Sequence, residues 1–345
     1  MSYSILKKLP PIDDIIREFP LSESAREKVM RDRREVKNIL GGADDRLLII
    51  VGPCSAWPRE AVFDYAEKLG RLNEKVSGRL KLVMRCYIQK PRTTKGWSGP
   101  VNQPDPCAPP DIEAGIRYVR GMMTRVVEAG LPIADEALFT HNARGFIELL
   151  SWVAIGARSA EDQEHRIFAS ALDCAVGMKN PTHGNIGIGI NGIVAAQHRH
   201  VAVFEGHEVQ TDGNAYAHLV LRGGNGMPNY APEHIEEVMR GMAKHKIKNP
   251  AVVVDVSHDN CLINGKKDTT RQPDICREIL DGLQDRPDLR HLVKGFMVES
   301  FLKPGNQKVD ESKPEAIDHG GLSITDPCLG WDETEALLLD LSRRV

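Results

Sequence analysis

The sequence predicts an α/β fold of eight parallel strands closed into a barrel, and three observations carry that expectation. Eight short β-like runs recur along the chain: LLIIV (47–51), KLVM (81–84), LPIAD (131–135), VAIGA (153–157), AVGM (175–178), HLVL (218–221), VVVDVS (252–257) and GFMV (295–298). Helical patterns lie between most of them, as right-handed crossovers between parallel strands require. Each run delivers polar residues at its carboxyl end: Cys54, Arg85, Glu136, Arg158, Lys179, Arg222, His258 and Glu299. In a (β/α)8 TIM barrel those strand ends open onto one face, so residues scattered along the chain converge on one pocket.

The elements follow in order. Residues 1–44 read as an N-terminal helical extension, and residues 45–345 as the barrel domain. Ser22-Glu23-Ser24 caps a helix through AREKVMRDRREVKNIL, which stops at Gly41-Gly42. REAVFDYAEKLGRLNEKV supplies a helix after the first run, DIEAGIRYVRGMMTRVVEAG after the second and ARGFIELLSW after the third. PEHIEEVMRGMAKHK and PDICREILDGLQD follow the sixth and seventh. Residues 95–112 carry Pro100, Pro104, Pro106, Pro109 and Pro110 without periodicity and read as a long functional loop. The IGIGI stretch after Asn185 reads as irregular rather than cofactor-binding. VAVFEGHEVQTDGNAY breaks the alternation; with Thr211-Asp212-Gly213 as its turn signal it reads as a β-hairpin inserted near 200–213.

Bulk properties exclude several classes. The chain has 345 residues, 41% of them hydrophobic, within the range of a decorated barrel. Its 45 basic and 48 acidic residues give a formal charge of -3, so no basic excess points to nucleic acid. No apolar stretch approaches the ~18 residues of a membrane span, and MSYSILKKLPPIDDII lacks the apolar core of a signal peptide. Seven cysteines without CxxC pairs fit free thiols in a reducing cytoplasm rather than a disulfide framework.

Two constellations carry chemistry. Cys54, His258, Glu299 and Asp326 form a candidate metal site. Singly, each has a plainer reading: a small buried thiol, a hydrogen-bonded strand-end histidine, two surface or capping carboxylates. Together the case is stronger, because runs one, seven and eight are neighbours in a closed barrel. A thiolate, imidazole and carboxylate set suits Mn, Fe, Co or Zn and is poor for Ca or Mg. The second constellation is cationic: Arg85, Lys90, Arg92, Arg158, Lys179 and Arg222. Surface cations whose stems snorkel are the bland alternative. Their placement at strand ends, beside small residues as in Gly156-Ala157-Arg158 and Arg222-Gly223-Gly224, argues against it. A buried crowd of like charges needs anions to neutralise it, which implies more than one phosphate or carboxylate among the ligands.

At these residues the sequence is similar to the class I 3-deoxy-D-arabino-heptulosonate 7-phosphate (DAHP) synthases, the phospho-2-dehydro-3-deoxyheptonate aldolases. The resemblance runs from LPPIDDIIREFP to the chain's end. It rests on Gly52-Pro53-Cys54-Ser55, Met84-Arg85, Lys90-Pro91-Arg92-Thr93-Thr94, Gly96-Trp97, Gly156-Ala157-Arg158, Gln163 with His165-Arg166, Lys179-Asn180 and Leu221-Arg222-Gly223-Gly224. It also rests on Asp255 with Ser257-His258, Met297-Val298-Glu299-Ser300, Gly305-Asn306-Gln307 and Ser323-Ile324-Thr325-Asp326. The resemblance implies that Cys54, His258, Glu299 and Asp326 bind a divalent metal. It implies that Arg85, Lys90, Glu136, Ala157, Arg158, Lys179 and Arg222 surround phosphoenolpyruvate, and that Lys90, Pro91, Arg92 and Thr93 hold an aldose phosphate. The catalytic residues would be Lys90, Arg85, Glu136, Cys54 and His258. The implied reaction condenses phosphoenolpyruvate with erythrose 4-phosphate, the first step of the shikimate pathway to aromatic amino acids, with no organic cofactor. It further implies a homodimer or homotetramer built through the N-terminal segment and the inserted hairpin.

The departures from the family's text set the alternatives. Asn102-Gln103-Pro104, Pro181-Thr182-His183-Gly184, Cys261-Leu262-Ile263 and Leu138-Phe139-Thr140-His141-Asn142 all differ from it. One alternative is a secondary-metabolic paralogue that joins phosphoenolpyruvate to another aldose phosphate. The other, of a different class, is a non-catalytic anion-binding or regulatory paralogue, against which the retained metal set speaks. Asp173 replaces a serine in the family's feedback cavity; a carboxylate there would repel an amino acid's carboxylate, so weak or no inhibition by Phe, Tyr or Trp is expected.

Overall fold

The computed structural model describes residues 2–92, 96–138 and 144–345. Two helices, α1 (Ile12–Glu18) and α2 (Glu23–Gly41), precede the first strand. The Ser22 side chain accepts the Ala25 N–H and caps α2; Gly42, left-handed at φ 78°, ends it. In chain order the strands are β1 (Leu47–Gly52), β2 (Leu80–Arg85), β3 (Ile133–Glu136), β4 (Leu150–Ile155), β5 (Ala175–Lys179), β6 (Val201–Phe204), β7 (His207–Gln210), β8 (His218–Leu221), β9 (Val252–Asp255), β10 (Leu262–Ile263), β11 (Lys266–Lys267) and β12 (Val293–Glu299). Eight of them close a barrel in the order β1-β12-β9-β8-β5-β4-β3-β2, and every pairing in it is parallel. All eight apolar runs became barrel strands.

Strand side chains alternate between two faces. Leu48, Ile50, Val83, Ala134, Trp152, Ala154, Val220, Val253 and Met297 form one buried cluster inside the barrel. Their neighbours Ile49, Val51, Leu82, Val153, Val254 and Val298 join the larger core under the helices. Carrying the inner parity one step further reaches Gly52, Arg85, Glu136, Gly156, Lys179, Arg222, Asp255 and Glu299. The fold thus aims this set at the mouth. The opposite end is plugged by α2, whose Val36, Ile39 and Leu40 belong to the inner cluster. There Lys81 reaches Asp32 at 2.7 Å and Glu35 at 2.8 Å. A buried ammonium is tolerable because two carboxylates from the plug neutralise it.

The connecting helices are α3 (Arg59–Val76), α4 (Ile112–Glu128), α5 (Arg144–Ile147), α6 (Gln163–Ala171), α7 (Ile186–Gln197), α8 (Pro232–Lys244), α9 (Gln272–Gly282), α10 (Pro287–Leu292) and α11 (Trp331–Arg344). Three local expectations need correction. In the segment ARGFIELLSW only Arg144–Ile147 is helical among the described residues, the single turn α5, and its LSW portion begins the buried strand β4; a short apolar run does not distinguish helix from strand by period alone. The IGIGI stretch is not irregular but forms α7, capped by Asn185 accepting the Ile188 N–H. Its glycines let the helix lie close to the barrel: a Cβ on Gly189 would sit 2.5 Å from Leu219, and one on Gly192 2.8 Å from Met178. The inserted hairpin exists as antiparallel β6 and β7, but it turns at Glu205-Gly206, both left-handed at φ 51° and 77°. Thr211-Asp212-Gly213 instead follows β7.

Candidate active site

Polar side chains crowd the barrel mouth because strand parity sends them there. Cys54 follows β1, is fully buried, and has Lys90 Nζ 3.1 Å from its Sγ and 2.8 Å from its carbonyl oxygen. Glu299 ends β12, and its Oε1 accepts from Arg85 Nη2 at 3.1 Å. Asp326 comes from the last loop, which is pinned to the first: Ser55 Oγ meets Thr325 Oγ1 at 2.9 Å. Asn306 Nδ2 donates to the Thr325 carbonyl at 2.7 Å and Ser323 Oγ to the Asp326 carbonyl at 2.8 Å. One donor atom each from Cys54, Glu299 and Asp326 lie within 4.8 Å of one another.

His258 does not join that trio. Left-handed at φ 55°, it directs Nδ1 at Ser257 Oγ, 2.7 Å, and Asp255 Oδ2, 3.0 Å. Its Nε2 stands 3.9 Å from Glu299 Oε1. Burial lowers the pKa of the ring despite Asp255 and Glu299, which keeps a nitrogen lone pair available. The donor set therefore fits a borderline divalent ion, with His258 as the flanking fourth candidate. An orphan supports this: Glu299 Oε2 is buried with no hydrogen-bond partner. Burial and Glu299 push the Cys54 thiol pKa up, against Lys90, so metal entry would release its proton.

The cations are less naked than a stretch of sequence suggests. Lys179 pairs with Asp255 at 3.0 Å, both buried. Arg222 pairs with Asp259 at 3.3 Å, and its main-chain N–H donates to Asn180 Oδ1 at 3.0 Å. The carboxylates that offset the cations were overlooked in the sequence, which corrects the inference that ligand anions alone must do so. Burial opposes the charge on Asp255, but His258 and Lys179 outweigh it and hold its pKa well below the carboxylate range. Arg85 stacks 4.0 Å over the Tyr87 ring and donates from Nε to the Pro53 carbonyl at 3.3 Å. Its Nη1 is buried without a partner, a second orphan and one suited to an anion.

The remaining residues are placed as follows. Glu136 is buried at the end of β3. A Cβ on Gly156 would fall 2.1 Å from Glu136 Oε1, so the glycine makes room for that carboxylate. Ala157 and Arg158 lie just past β4, half-buried and exposed respectively. Pro91 is half-buried and Arg92 exposed, with the Arg92 guanidinium against Gly96. Thr93 lies outside the described residues, as do positions 139–142, which the resemblance assigns to a feedback cavity. Asp173 is not a bare carboxylate. Arg33 Nη1 lies 3.3 Å and Lys37 Nζ 3.1 Å away, so two cations offset the charge from which weak inhibition is expected.

One member of the site was missed outright. Lys267 Nζ is hydrogen-bonded to Asp326 Oδ2. Burial works against the ammonium, but Glu299 and Asp326 outweigh it and raise its pKa. The same contact, with His258 and Lys90, keeps Asp326 ionised against its burial. A signal was available: Asn264-Gly265 between LI and KK is a strong two-residue hairpin cue.

Comparisons with known proteins show the family. Residues 18–339 match the model of the DAHP synthetase I family. The chain is 40% identical to the Phe-sensitive phospho-2-dehydro-3-deoxyheptonate aldolase of Escherichia coli, over 99% of this chain and 95% of that protein. It is 39% identical to a phospho-2-dehydro-3-deoxyheptonate aldolase of Haemophilus influenzae, over 98% and 91%. Among solved structures, a phospho-2-dehydro-3-deoxyheptonate aldolase from Francisella tularensis superposes with a TM-score of 0.92 at 34% identity, covering 100% of this chain and 98% of that one.

Proposed function

Because the chain belongs to the DAHP synthetase I family, we propose that it is a transferase condensing phosphoenolpyruvate with erythrose 4-phosphate, giving DAHP and phosphate. One observation carries the reading: orphaned Arg85 Nη1 and orphaned Glu299 Oε2 face the same buried mouth, one suited to an anion and the other to a metal. Carbon 3 of phosphoenolpyruvate bonds to the acceptor's aldehyde carbon, whose oxygen takes a proton. Water adds at carbon 2, and phosphate leaves from it. When bound, a divalent ion supplies a Lewis acid for the aldehyde oxygen.

This chain's own residues do the rest. Arg85, Lys179 and Arg222 hold phosphoenolpyruvate, their carboxylate partners fixing each cation in place before the ligand arrives. Lys90 Nζ, tethered to Cys54, passes a proton to the forming alkoxide. Glu136 serves as the carboxylate for the attacking water. Pro91, Arg92 and Thr93 take the acceptor's phosphate. Cys54, Glu299 and Asp326, with His258 beside them, hold the metal, and Mn, Co, Fe and Zn are the ions that suit them.

The test is steady-state turnover with phosphoenolpyruvate and a panel of aldose phosphates, before and after chelation. Turnover with erythrose 4-phosphate should stop in excess chelator and return with Mn²⁺ or Co²⁺. Cys54→Ser should weaken metal binding by tenfold or more, on the order of 1.4 kcal/mol. Preference for a different aldose phosphate would point to the secondary-metabolic paralogue. No turnover with any acceptor would leave the anion-binding paralogue standing.

A further inference from the structure

The β10–β11 hairpin places on the metal pocket a cation to which the reaction above assigns no part. Its turn, Asn264-Gly265, is left-handed at both residues, φ 50° and 75°, as a two-residue hairpin turn requires. The register sets Lys267 opposite Leu262, and the Asp268 N–H donates to the Cys261 carbonyl at 2.9 Å. The Lys267 main chain is therefore fixed beside the segment that carries His258. From there its side chain, 23% exposed, reaches Asp326. Asp326 is one of the three groups whose donor atoms gather within 4.8 Å.

Two carboxylates and a buried thiol that close together repel as soon as they ionise. In this arrangement Arg85 pairs with Glu299 and Lys90 with Cys54, the ammonium of Lys267 is what offsets Asp326, and Glu299 Oε2 still lacks a partner. An ammonium bonds at hydrogen-bond distance and a coordinated ion at about 2 Å. A divalent ion bound to Asp326 and Glu299 would therefore stand close to Lys267 Nζ, where like charges repel strongly in a buried setting. Lysine also has the means to leave. Its four-carbon stem is flexible, and part of it already meets solvent.

We propose that Lys267 is the resident cation of the metal-free pocket, that a divalent ion displaces it from Asp326, and that this competition sets the enzyme's metal affinity. The proposal rests on Cys54, Glu299 and Asp326 being the metal ligands. It differs from an outer-sphere role, in which Lys267 would stay on Oδ2 and steady Asp326 as a ligand. The two predict opposite signs: competition means that removing the charge tightens binding, support means that it loosens binding.

The experiment titrates chelator-stripped enzyme with Mn²⁺ and reads free Mn²⁺ by electron paramagnetic resonance, without any turnover assay. Lys267→Met and Lys267→Gln should each bind Mn²⁺ about tenfold more tightly than the parent. Lys267→Arg, which keeps the charge, should stay within about threefold of it. In an Asp326→Asn background, Lys267→Met should change nothing further, because the contact is gone. The metal-free Lys267→Met protein should also melt lower than the metal-free parent. Unchanged or weaker Mn²⁺ binding in both neutral variants, with binding still dependent on Asp326, would overturn the role of Lys267 alone. Mn²⁺ binding indifferent to Cys54→Ser and Asp326→Asn would overturn the ligand assignment, and this proposal with it.

Discussion

Arg85 is held on three sides, by the Pro53 carbonyl, the Glu299 carboxylate and the face of Tyr87. That cage is why a guanidinium can sit buried at a strand end and still present Nη1 to a ligand. Removing Glu299 alone would strand the charge, at about 3–5 kcal/mol. Such pairings were not legible in the sequence. Strand parity shows that Lys179 and Asp255 both point inward, yet they are 76 residues apart, and only the closed barrel brings them to 3.0 Å. Asp135 shows a different residue-scale logic. Its parity is outward, beneath Phe146, Leu150 and Val153, and it accepts N–H bonds from Glu136 at 2.8 Å and Ile88 at 3.1 Å. Burial pushes its pKa up to about 8, and those two bonds offset this only in part. The unfolded chain ionises it near 3.8, so between these values the folded state binds the extra proton. Its stabilising contribution is complete below the unfolded pKa and is lost as pH rises through the folded one. Between pH 5 and pH 8 the loss is on the order of 3 kcal/mol. Asp135→Asn keeps an acceptor oxygen and removes the charge, so urea denaturation should show that pH dependence shrink by most of that amount. Identical pH dependence in both proteins would show that Asp135 ionises normally.

At the scale of elements, the strands were readable because their apolar runs are short, repeated and each closed by a polar residue. The helices misread, α5 and α7, fail for physical reasons. LSWVAI is buried at every residue, because β4 is covered on both faces, and a run without alternation carries no period. In α7 the glycines argue against a helix by propensity, but close approach to the strands at Leu219 and Met178 wins. Glycine also decides how β4 serves the site. Gly156 follows its last residue, and a methyl group there would collide with the Glu136 carboxylate at 2.1 Å. Gly156→Ala should therefore push Glu136 out of the mouth. Turnover should fall by about tenfold or more, roughly the weight of one displaced acid–base group, while Mn²⁺ affinity stays at the parent value. Unimpaired turnover would mean that Glu136 has no part in the chemistry.

For the whole molecule, the first 44 residues are two physically different segments. From α1 onward they belong to the barrel: a Cβ on Gly145 would strike Ile12, Arg120 Nη2 donates to the Phe19 carbonyl at 3.1 Å, and α2 fills the barrel's amino end. Residues 2–10 have no such seat. Tyr3, Ile5 and Leu6 are 73%, 83% and 94% exposed, and Lys7 ties the segment down through Asp111 and Glu113. The inserted hairpin adds Val201 and Val203, 69% and 74% exposed. We propose that these exposed apolar residues mark a contact with another chain, in the two segments through which the resemblance implies a homo-oligomer. The sequence could nominate the segments but not show which of their residues lack cover, since that depends on where the barrel's helices end. Deleting residues 2–10 should leave the barrel and its plug intact and remove one half of the contact. Light scattering after size exclusion should then give a homodimer or homotetramer for the full chain and a smaller species for the truncated one, at equal thermal stability once both are dilute. A full-length chain that runs as a monomer would refute the assembly. A truncated chain that keeps the parent's mass would move the interface off the arm and leave Val201 and Val203 as the surface to mutate next.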